Sequence, residues 1–212
     1  MTSIQPLAIL GGTFDPVHLG HLRAAWEVAE ALDAEVRLVP AHVPPHRPAP
    51  VASAGQRVAM LRAALAGQCR LSLDTRELDR AGPSYTVDTL ISLRAEIGAR
   101  PLVLLLGADA FAGLPGWHRW HELPDFAHIG VLTRPGLVPP LPTELAEAIA
   151  SREVSDANAL CASAAGCVLR IAITPLEISG TRIRALLRSG RQPRWLLPDA
   201  LLADSTLLAA YR

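Results

Sequence analysis

The sequence predicts an α/β protein built on one doubly wound, mostly parallel sheet with helices on both faces. Apolar runs of strand length alternate along the chain with segments whose apolar residues recur at helical spacing. One of these runs, Leu102–Leu106, is unbroken, which is typical of a strand covered on both faces. The length of 212 residues, without a repeat or a linker, favours a single domain over 1–212. The expected architecture is therefore Rossmann-like.

The predicted strands are short apolar runs: Leu7–Leu10, Val36–Val39, Arg70–Leu73, Leu102–Leu106, Ile129–Leu132 and Leu169–Ile173. The predicted helices are Leu19–Leu32, Gln56–Ala66, Thr86–Ile97, Thr181–Arg188 and Asp199–Leu208. A proline-rich loop, Ala41–Ser53, separates the second strand from the second helix. In such sheets a ligand binds beyond the carboxyl ends of the strands, where the strand order reverses. Functional residues are therefore expected directly after strands.

The charges are balanced, with 20 basic and 20 acidic side chains and a formal net charge of +0. This balance indicates neither a nucleic-acid partner nor an acidic membrane. The chain contains no lysine, which excludes the lysine-containing P-loop. Three cysteines without CxxC spacing indicate reduced thiols, and no apolar run predicts a membrane span or a signal peptide. We expect a cytoplasmic protein, and either a monomer or a homodimer is compatible with the sequence.

The segment after the first predicted strand carries groups that suit phosphate. Gly11 and Gly12 let the backbone approach a ligand closely. His18 and His21 lie three residues apart at the start of the next helix, so their imidazoles face the same way. The free amides and the positive dipole end of that helix face the same place. Together these groups could donate hydrogen bonds to phosphate oxygens and stabilise charge that grows in a transition state.

A second pattern of this kind is the string ISGTRIR at Ile178–Arg184. Ser179 and Thr181 are hydroxyls at a predicted helix start, and Arg184 follows one turn later, which predicts a second anion cradle. GGTFDPVHLGH resembles the signature of the nucleotidyltransferase superfamily with a (T/H)xGH motif, read here as His18–His21. ISGTRIR resembles the second motif of that superfamily, ISxTxIR, with Gly180 at a variable position.

Three further stretches resemble the bacterial nicotinate-nucleotide adenylyltransferase family, and the resemblance runs nearly end to end. They are Val43–Pro48, Pro83–Leu90, and Gly107–Asp109 with Leu114–Trp120. The resemblance implies that His18, His21 and Arg184 are catalytic and that Asp109 holds the adenosine end of ATP. The ATP-binding residues so implied are Gly11, Gly12, Thr13, Phe14, His18, His21, Gly107, Asp109, Ile178, Ser179, Thr181 and Arg184.

The same resemblance implies a site for a pyridine nucleotide. Trp117 would stack on the pyridine ring, and Thr86 with the backbone amide of His118 would meet its carboxylate. His46 and Arg47 would reach phosphate. The acceptor-binding residues so implied are His46, Arg47, Thr86, Trp117, His118 and, as a weaker candidate, Arg134.

The resemblance implies transfer of AMP from ATP to nicotinate mononucleotide, giving deamido-NAD and pyrophosphate in NAD biosynthesis. A phosphate monoester has its second pKa near ~6, so the attacking phosphate is a dianion at neutral pH and needs no general base. Catalysis then reduces to in-line positioning and to stabilising charge on the phosphates. Mg²⁺ is expected to arrive with ATP and to keep several waters, without dedicated protein ligands.

Other functions remain open at this stage. The nearest is a sister adenylyltransferase acting on nicotinamide mononucleotide or phosphopantetheine. HLGH also resembles the HIGH motif of class I aminoacyl-tRNA synthetases, although the short chain offers no basic face for tRNA. A non-catalytic alternative is a nucleotide-sensing or metal-binding module that uses His18, His21, His42 and His46.

Overall fold

The computed structural model describes residues 5–42, 48–134 and 139–212. Within these residues seven strands form one sheet: β1 Leu7–Gly12, β2 Glu35–Pro40, β3 Leu71–Leu73, β4 Leu102–Gly107, β5 His128–Thr133, β6 Glu153–Val154 and β7 Val168–Ala172. The strand order is β3-β2-β1-β4-β5-β7-β6, and each of these neighbouring pairs is parallel. The order reverses between β1 and β4, so the carboxyl ends of these two strands mark the switch point.

The helices of the described chain are α1 Leu19–Ala31, α2 Ala54–Leu65, α3 Thr86–Ile97, α4 Ala108–Ala112, α5 Leu123–Phe126, α6 Thr143–Ile149, α7 Gly180–Arg188 and α8 Asp199–Ala203. Short 3₁₀ turns complete the connections at Leu114–Gly116, Trp120–Glu122, Ala157–Ala162 and Ser205–Tyr211. None of the helices in these parts of the chain is long and apolar enough to cross a bilayer.

Alternate residues of the central strands supply two separate hydrophobic cores. In β4, Val103 and Leu105 belong to the core that includes α1, α2, α7 and α8. Leu102, Leu104 and Leu106 belong to the core that includes α3, α5 and α6. All five side chains are at most 5% exposed. Helices therefore cover both faces of β4, which confirms the predicted sheet with helices on both faces. The unbroken apolar run indicated this arrangement, because a strand buried on both sides is apolar at every position.

The six predicted strands and the first four predicted helices are present with ends shifted by at most two residues. The prediction of one helix over Asp199–Leu208 is wrong. Helix α8 ends at Ala203, and Asp204 leaves the helix with φ −108° and ψ 100°. Its carboxylate accepts the backbone N–H of Thr206 (2.9 Å) and starts a 3₁₀ turn. A short acidic side chain that binds nearby backbone amides competes in this way with helix continuation.

Candidate active site

The first motif joins β1 to α1 at the switch point. His18 is the N-cap of α1, with extended backbone dihedrals, and His21 lies on the first turn. Their imidazole rings are stacked with centroids 3.7 Å apart, and the ring of Phe14 meets His21 edge-on at 5.0 Å. A Cβ at Gly20 would lie 3.1 Å from His18 Nδ1, so a side chain there would press on the ring. Gly20 thus leaves room for the histidine pair.

The two histidines have different protonation chemistry. His21 Nδ1 accepts the backbone N–H of His18 (3.3 Å), so in the neutral ring the proton is on Nε2. His18 is only 6% exposed, and burial lowers its pKa to about 4. It is therefore neutral at physiological pH. Its Nδ1 atom is buried and has no hydrogen-bond partner among the described residues. His18 therefore adds no positive charge to the cleft, and in the neutral ring of His21 the Nε2–H is the donor.

Asp15 holds the loop between β1 and α1 in place through hydrogen bonds, a role that the sequence analysis did not predict. Its carboxylate accepts the hydroxyl of Tyr211 (2.7 Å) and the backbone N–H groups of Val51 (2.8 Å) and Ala52 (3.0 Å). Burial, followed by the hydrogen bond to Asp15, raises the pKa of Tyr211 well above its usual value, which keeps the hydroxyl protonated as a donor. The carboxylate thus ties the loop to the segment before α2 and to the last 3₁₀ turn.

A second buried group that sequence reasoning missed is Arg57, which is 2% exposed on α2. Its Nη1 donates to the backbone carbonyl oxygen of Thr13 (2.8 Å) and so attaches the loop to α2. An arginine on a helix with both polar and apolar residues is expected at the surface. The sequence pattern therefore did not predict this buried contact.

The second motif starts α7 and faces the first motif. Ser179 is the N-cap, and its hydroxyl accepts the backbone N–H of Arg182 (3.2 Å), as the sequence predicted for a helix-start hydroxyl. Arg184 donates from Nη1 to the backbone carbonyl of Asp15 (2.6 Å) and from Nη2 to the hydroxyl of Thr181 (3.2 Å). A Cβ at Gly180 would lie 3.0 Å from the Asp15 carbonyl oxygen, so this glycine permits the close approach of the two motifs.

Both motifs open into one cleft of about 1040 Å³ at the carboxyl ends of β1 and β4. The predicted ATP-binding residues that line it are Gly11, Gly12, Thr13, His18, His21, Gly107, Asp109, Ile178, Ser179, Thr181 and Arg184. The predicted acceptor-binding residues that line it are Thr86, Trp117, His118 and Arg134. His46 and Arg47 lie outside the described residues.

Phe14 differs from the other predicted ATP contacts. Its side chain is 1% exposed and is not part of the cleft lining. The ring lies beneath Gly12, where an added Cβ would come within 3.2 Å of it, and beside His21. The Phe14 side chain therefore supports the motif from beneath and does not face the cleft.

The wall of the cleft that the sequence predicts for the acceptor is formed by α3 and by the chain that follows β4. Thr86 is the first residue of α3, whose N-cap Tyr85 provides no side-chain cap, so free backbone amides remain at this helix start. Trp117 is half-buried against the second core, and the rings of Tyr85 and His118 are 4.3 Å apart. Asp109 is exposed in the first turn of α4 directly after β4.

A Rossmann-like sheet whose switch point places an HxGH helix start opposite an ISxTxIR helix start defines a nucleotidyltransferase. The sequence model of the cytidylyltransferase-like family matches residues 9–186. A Pseudomonas putida (strain W619) protein named "Probable nicotinate-nucleotide adenylyltransferase" is 53% identical, covering 99% of this chain and 96% of its own. A Methylococcus capsulatus protein of the same name is 51% identical, covering 92% and 94%. The chain therefore belongs to the nicotinate-nucleotide adenylyltransferase family within the cytidylyltransferase-like proteins.

Solved structures share the fold. The Plasmodium falciparum nicotinic acid mononucleotide adenylyltransferase complexed with NaAD matches with a TM-score of 0.71 at 13% identity, covering 97% of both chains. The same enzyme complexed with APC gives a TM-score of 0.67 at 13% identity. These likenesses confirm the predicted α/β, Rossmann-like class.

Proposed function

We propose that this enzyme transfers AMP from ATP to nicotinate mononucleotide, giving deamido-NAD and pyrophosphate. The observation that carries the proposal is the single cleft in which both phosphate-binding motifs meet the wall formed by Thr86, Trp117 and His118. The names of the relatives that are half identical to this chain support the same acceptor. We also propose that 1–212 acts as one domain and that the enzyme is cytoplasmic.

In the proposed reaction the dianionic phosphate of the acceptor attacks the α-phosphate of ATP in line, and pyrophosphate leaves. His18 and His21 donate to the triphosphate, and the amides at the start of α1 add their dipoles. Imidazole N–H groups suit this role, because the charge that grows on phosphate oxygens needs donors and not a base. Ser179, Thr181 and Arg184 take the β- and γ-phosphates, which requires Arg184 to exchange its contact with the Asp15 carbonyl for the anion.

Mg²⁺ is proposed to enter as the ATP complex. Within residues 5–42, 48–134 and 139–212 no group of three or more His, Cys, Asp or Glu side chains is arranged to hold a metal ion. Phosphate oxygens and waters would therefore supply most of its ligands, as Mg²⁺ prefers at nucleotide sites. The bound ion would neutralise phosphate charge. The residues of this chain would orient the triphosphate around it through the donors of both motifs.

The acceptor pocket is proposed to select a carboxylate through donors alone. The Thr86 hydroxyl, the amides at the start of α3 and the backbone amide of His118 can all donate to nicotinate. Nicotinamide must turn an NH₂ group towards one of these donors, and each charge-assisted hydrogen bond is worth about 1.5–3 kcal/mol. We expect kcat/KM for nicotinate mononucleotide to exceed that for nicotinamide mononucleotide by at least about 100-fold.

The test is pyrophosphate release from ATP with nicotinate mononucleotide, nicotinamide mononucleotide and phosphopantetheine as acceptors. Thr86→Ala should reduce the ratio between the two pyridine nucleotides. Trp117→Ala should weaken both and leave the ratio largely intact, because both substrates share the stacking area. Comparable kcat/KM for the two pyridine nucleotides would contradict the acceptor assignment. Release with none of the three acceptors would contradict the proposed function as a whole.

A further inference from the structure

Glu77 is a buried carboxylate in the wall of the cleft, on the turn that follows β3. Its side chain lines the cleft although the residue is only 8% exposed. The hydroxyl of Thr89 donates to Glu77 Oε1 at 2.8 Å. Thr89 is 1% exposed and lies one turn beyond Thr86 on α3. Glu77 is therefore attached to the helix whose first residue is proposed to meet the nicotinate carboxylate.

A second contact attaches Glu77 to the chain just before α3. The hydroxyl of Ser84 lies near the Glu77 carboxyl group and lowers its pKa. The Ser84 oxygen accepts the backbone N–H of His42 at 2.9 Å. Ser84 therefore lies between Glu77 and the chain that follows β2. His42 is further linked through Nδ1 to the backbone carbonyl of Arg80 at 3.1 Å.

Neighbouring polar groups offset the cost of burying the Glu77 carboxyl group. Burial raises the pKa of Glu77, while the hydroxyls of Thr89 and Ser84 and the charge of Arg80 oppose the shift. Arg80 Nη2 donates to the Thr89 hydroxyl at 3.3 Å, so that hydroxyl is held from both sides. A carboxyl group in such a place is costly unless it is hydrogen bonded, and a satisfied buried polar network fixes one geometry of the groups it joins.

We propose that Glu77 is a positioning residue for the acceptor, which sets the place of Ser84–Thr86 and thereby the KM for the pyridine nucleotide. This inference rests on the proposed function. The hydrogen-bond partner of Glu77, Thr89, lies on α3, and the nearby Ser84 lies in the chain before it. Neither belongs to the motifs that carry His18, His21 and Arg184. Loss of Glu77 should therefore disturb the acceptor side of the cleft and spare the ATP side.

The test compares Glu77→Ala and Glu77→Gln with a matched control, Asp74→Ala. Asp74 is a 9% exposed carboxylate on the same turn, but it is bonded to Arg76 and does not line the cleft. We expect Glu77→Ala to raise KM for nicotinate mononucleotide about 10-fold, as expected for one or two lost hydrogen bonds, with KM for ATP within about 2-fold. Glu77→Gln, which keeps an acceptor for Thr89, should recover most of the loss. Asp74→Ala should keep wild-type constants.

Circular dichroism and urea unfolding establish whether each variant is folded. If Glu77→Ala does not fold, Thr89→Val and Ser84→Ala each remove one partner of the carboxyl group and should show the same split between the two KM values. Unchanged KM for nicotinate mononucleotide in folded variants, an equal rise in both KM values, or the same effect in Asp74→Ala would overturn the inference while the wild-type enzyme stays active. A wild-type enzyme that does not use nicotinate mononucleotide would overturn the proposed function, and this inference with it.

Discussion

The two histidines of the first motif have different environments, although both lie at the start of α1. His18, as N-cap, is buried, and the low dielectric around it lowers its pKa to about 4. His21 is partly exposed and is oriented by the backbone N–H of His18, which fixes the tautomer of its neutral ring. His21 Nε2 is therefore the donor that we expect to stabilise phosphate charge in the transition state.

His21→Ala is predicted to lower kcat by about 100- to 1000-fold, because one preorganised donor to transition-state charge is worth about 3–4 kcal/mol. Since His21 is only partly buried, the thermal midpoint should change little. The measurement is steady-state turnover together with thermal unfolding followed by circular dichroism.

Arg23→Ala is the control for this variant. Arg23 is on the same helix, has a side chain that is 51% exposed and pairs with Glu27 on the outside. It should retain wild-type turnover. Full activity of His21→Ala, or its failure to fold, would contradict the catalytic assignment of this residue.

At the same scale, local spacing predicted some of the residues that line the cleft and could not predict others. His18, His21, Ser179 and Thr181 were predictable because their chemistry depends on a helix start that the sequence marks. Asp15 was not, because its hydroxyl partner Tyr211 lies 196 residues further along the chain. The role of Glu77 was not predicted either. Its turn has no recognisable sequence pattern, and its partner Thr89 belongs to a different element.

Among the elements, the predictable ones are those long enough to show a period. Helix α3 begins and ends where the sequence predicts, because its 12 residues include three turns with a buried stripe. Helices α4, α5 and α6 have five, four and seven residues, and β6 has two, so none of them is long enough for apolar residues to recur several times at a regular spacing. Their conformations depend on packing against neighbours, which sequence patterning does not encode.

The proline-rich loop Ala41–Ser53 and the segment Arg80–Ser84 are predicted to move when the acceptor binds. Long loops beside a strand-end cleft commonly act as lids that exclude water from phosphoryl chemistry. The two segments are joined where His42 donates to Ser84, and the loop is fixed at its other end where Val51 and Ala52 donate to Asp15. Residues 43–47 lie outside the described part of the chain.

Hydrogen exchange with and without nicotinate mononucleotide measures this movement. Peptides that cover the loop and Arg80–Ser84 should exchange more slowly when the nucleotide is present. Peptides from the buried half of α2 serve as the internal control and should not change. Identical exchange of the two segments in both states would show that they do not respond to the acceptor.

For the molecule as a whole, buried neutral histidines make stability depend on pH. Burial lowers the pKa of both His18 and His128, and His128 is 0% exposed. An unfolded histidine titrates near ~6.5, so on acidification the unfolded state takes up protons before the native state does. Stability is therefore lost as the pH falls from about 6.5 towards the native pKa, and for His18 this loss is complete only below about 4.

With a native-state pKa near 4, His18 alone is predicted to lower the free energy of unfolding by about 2 kcal/mol when the pH falls from 7 to 5. Urea unfolding at the two pH values measures the loss in the wild-type protein and in His18→Gln, which should lose less. The exposed His121, changed to Gln, is the control and should behave as the wild type does. An equal loss in His18→Gln and in the wild type would contradict the prediction.

The bond between Asp15 and Tyr211 also has a consequence for synthesis of the chain. The ribosome makes about 5–20 residues per second, N-terminus first. The 196 residues that separate the two partners therefore take roughly 10–40 s to add. Throughout that time the nascent Asp15 carboxylate lacks the hydroxyl that holds it in the finished protein. The loop that leads to His18 and His21 therefore reaches its native set of contacts only after Tyr211 has been added.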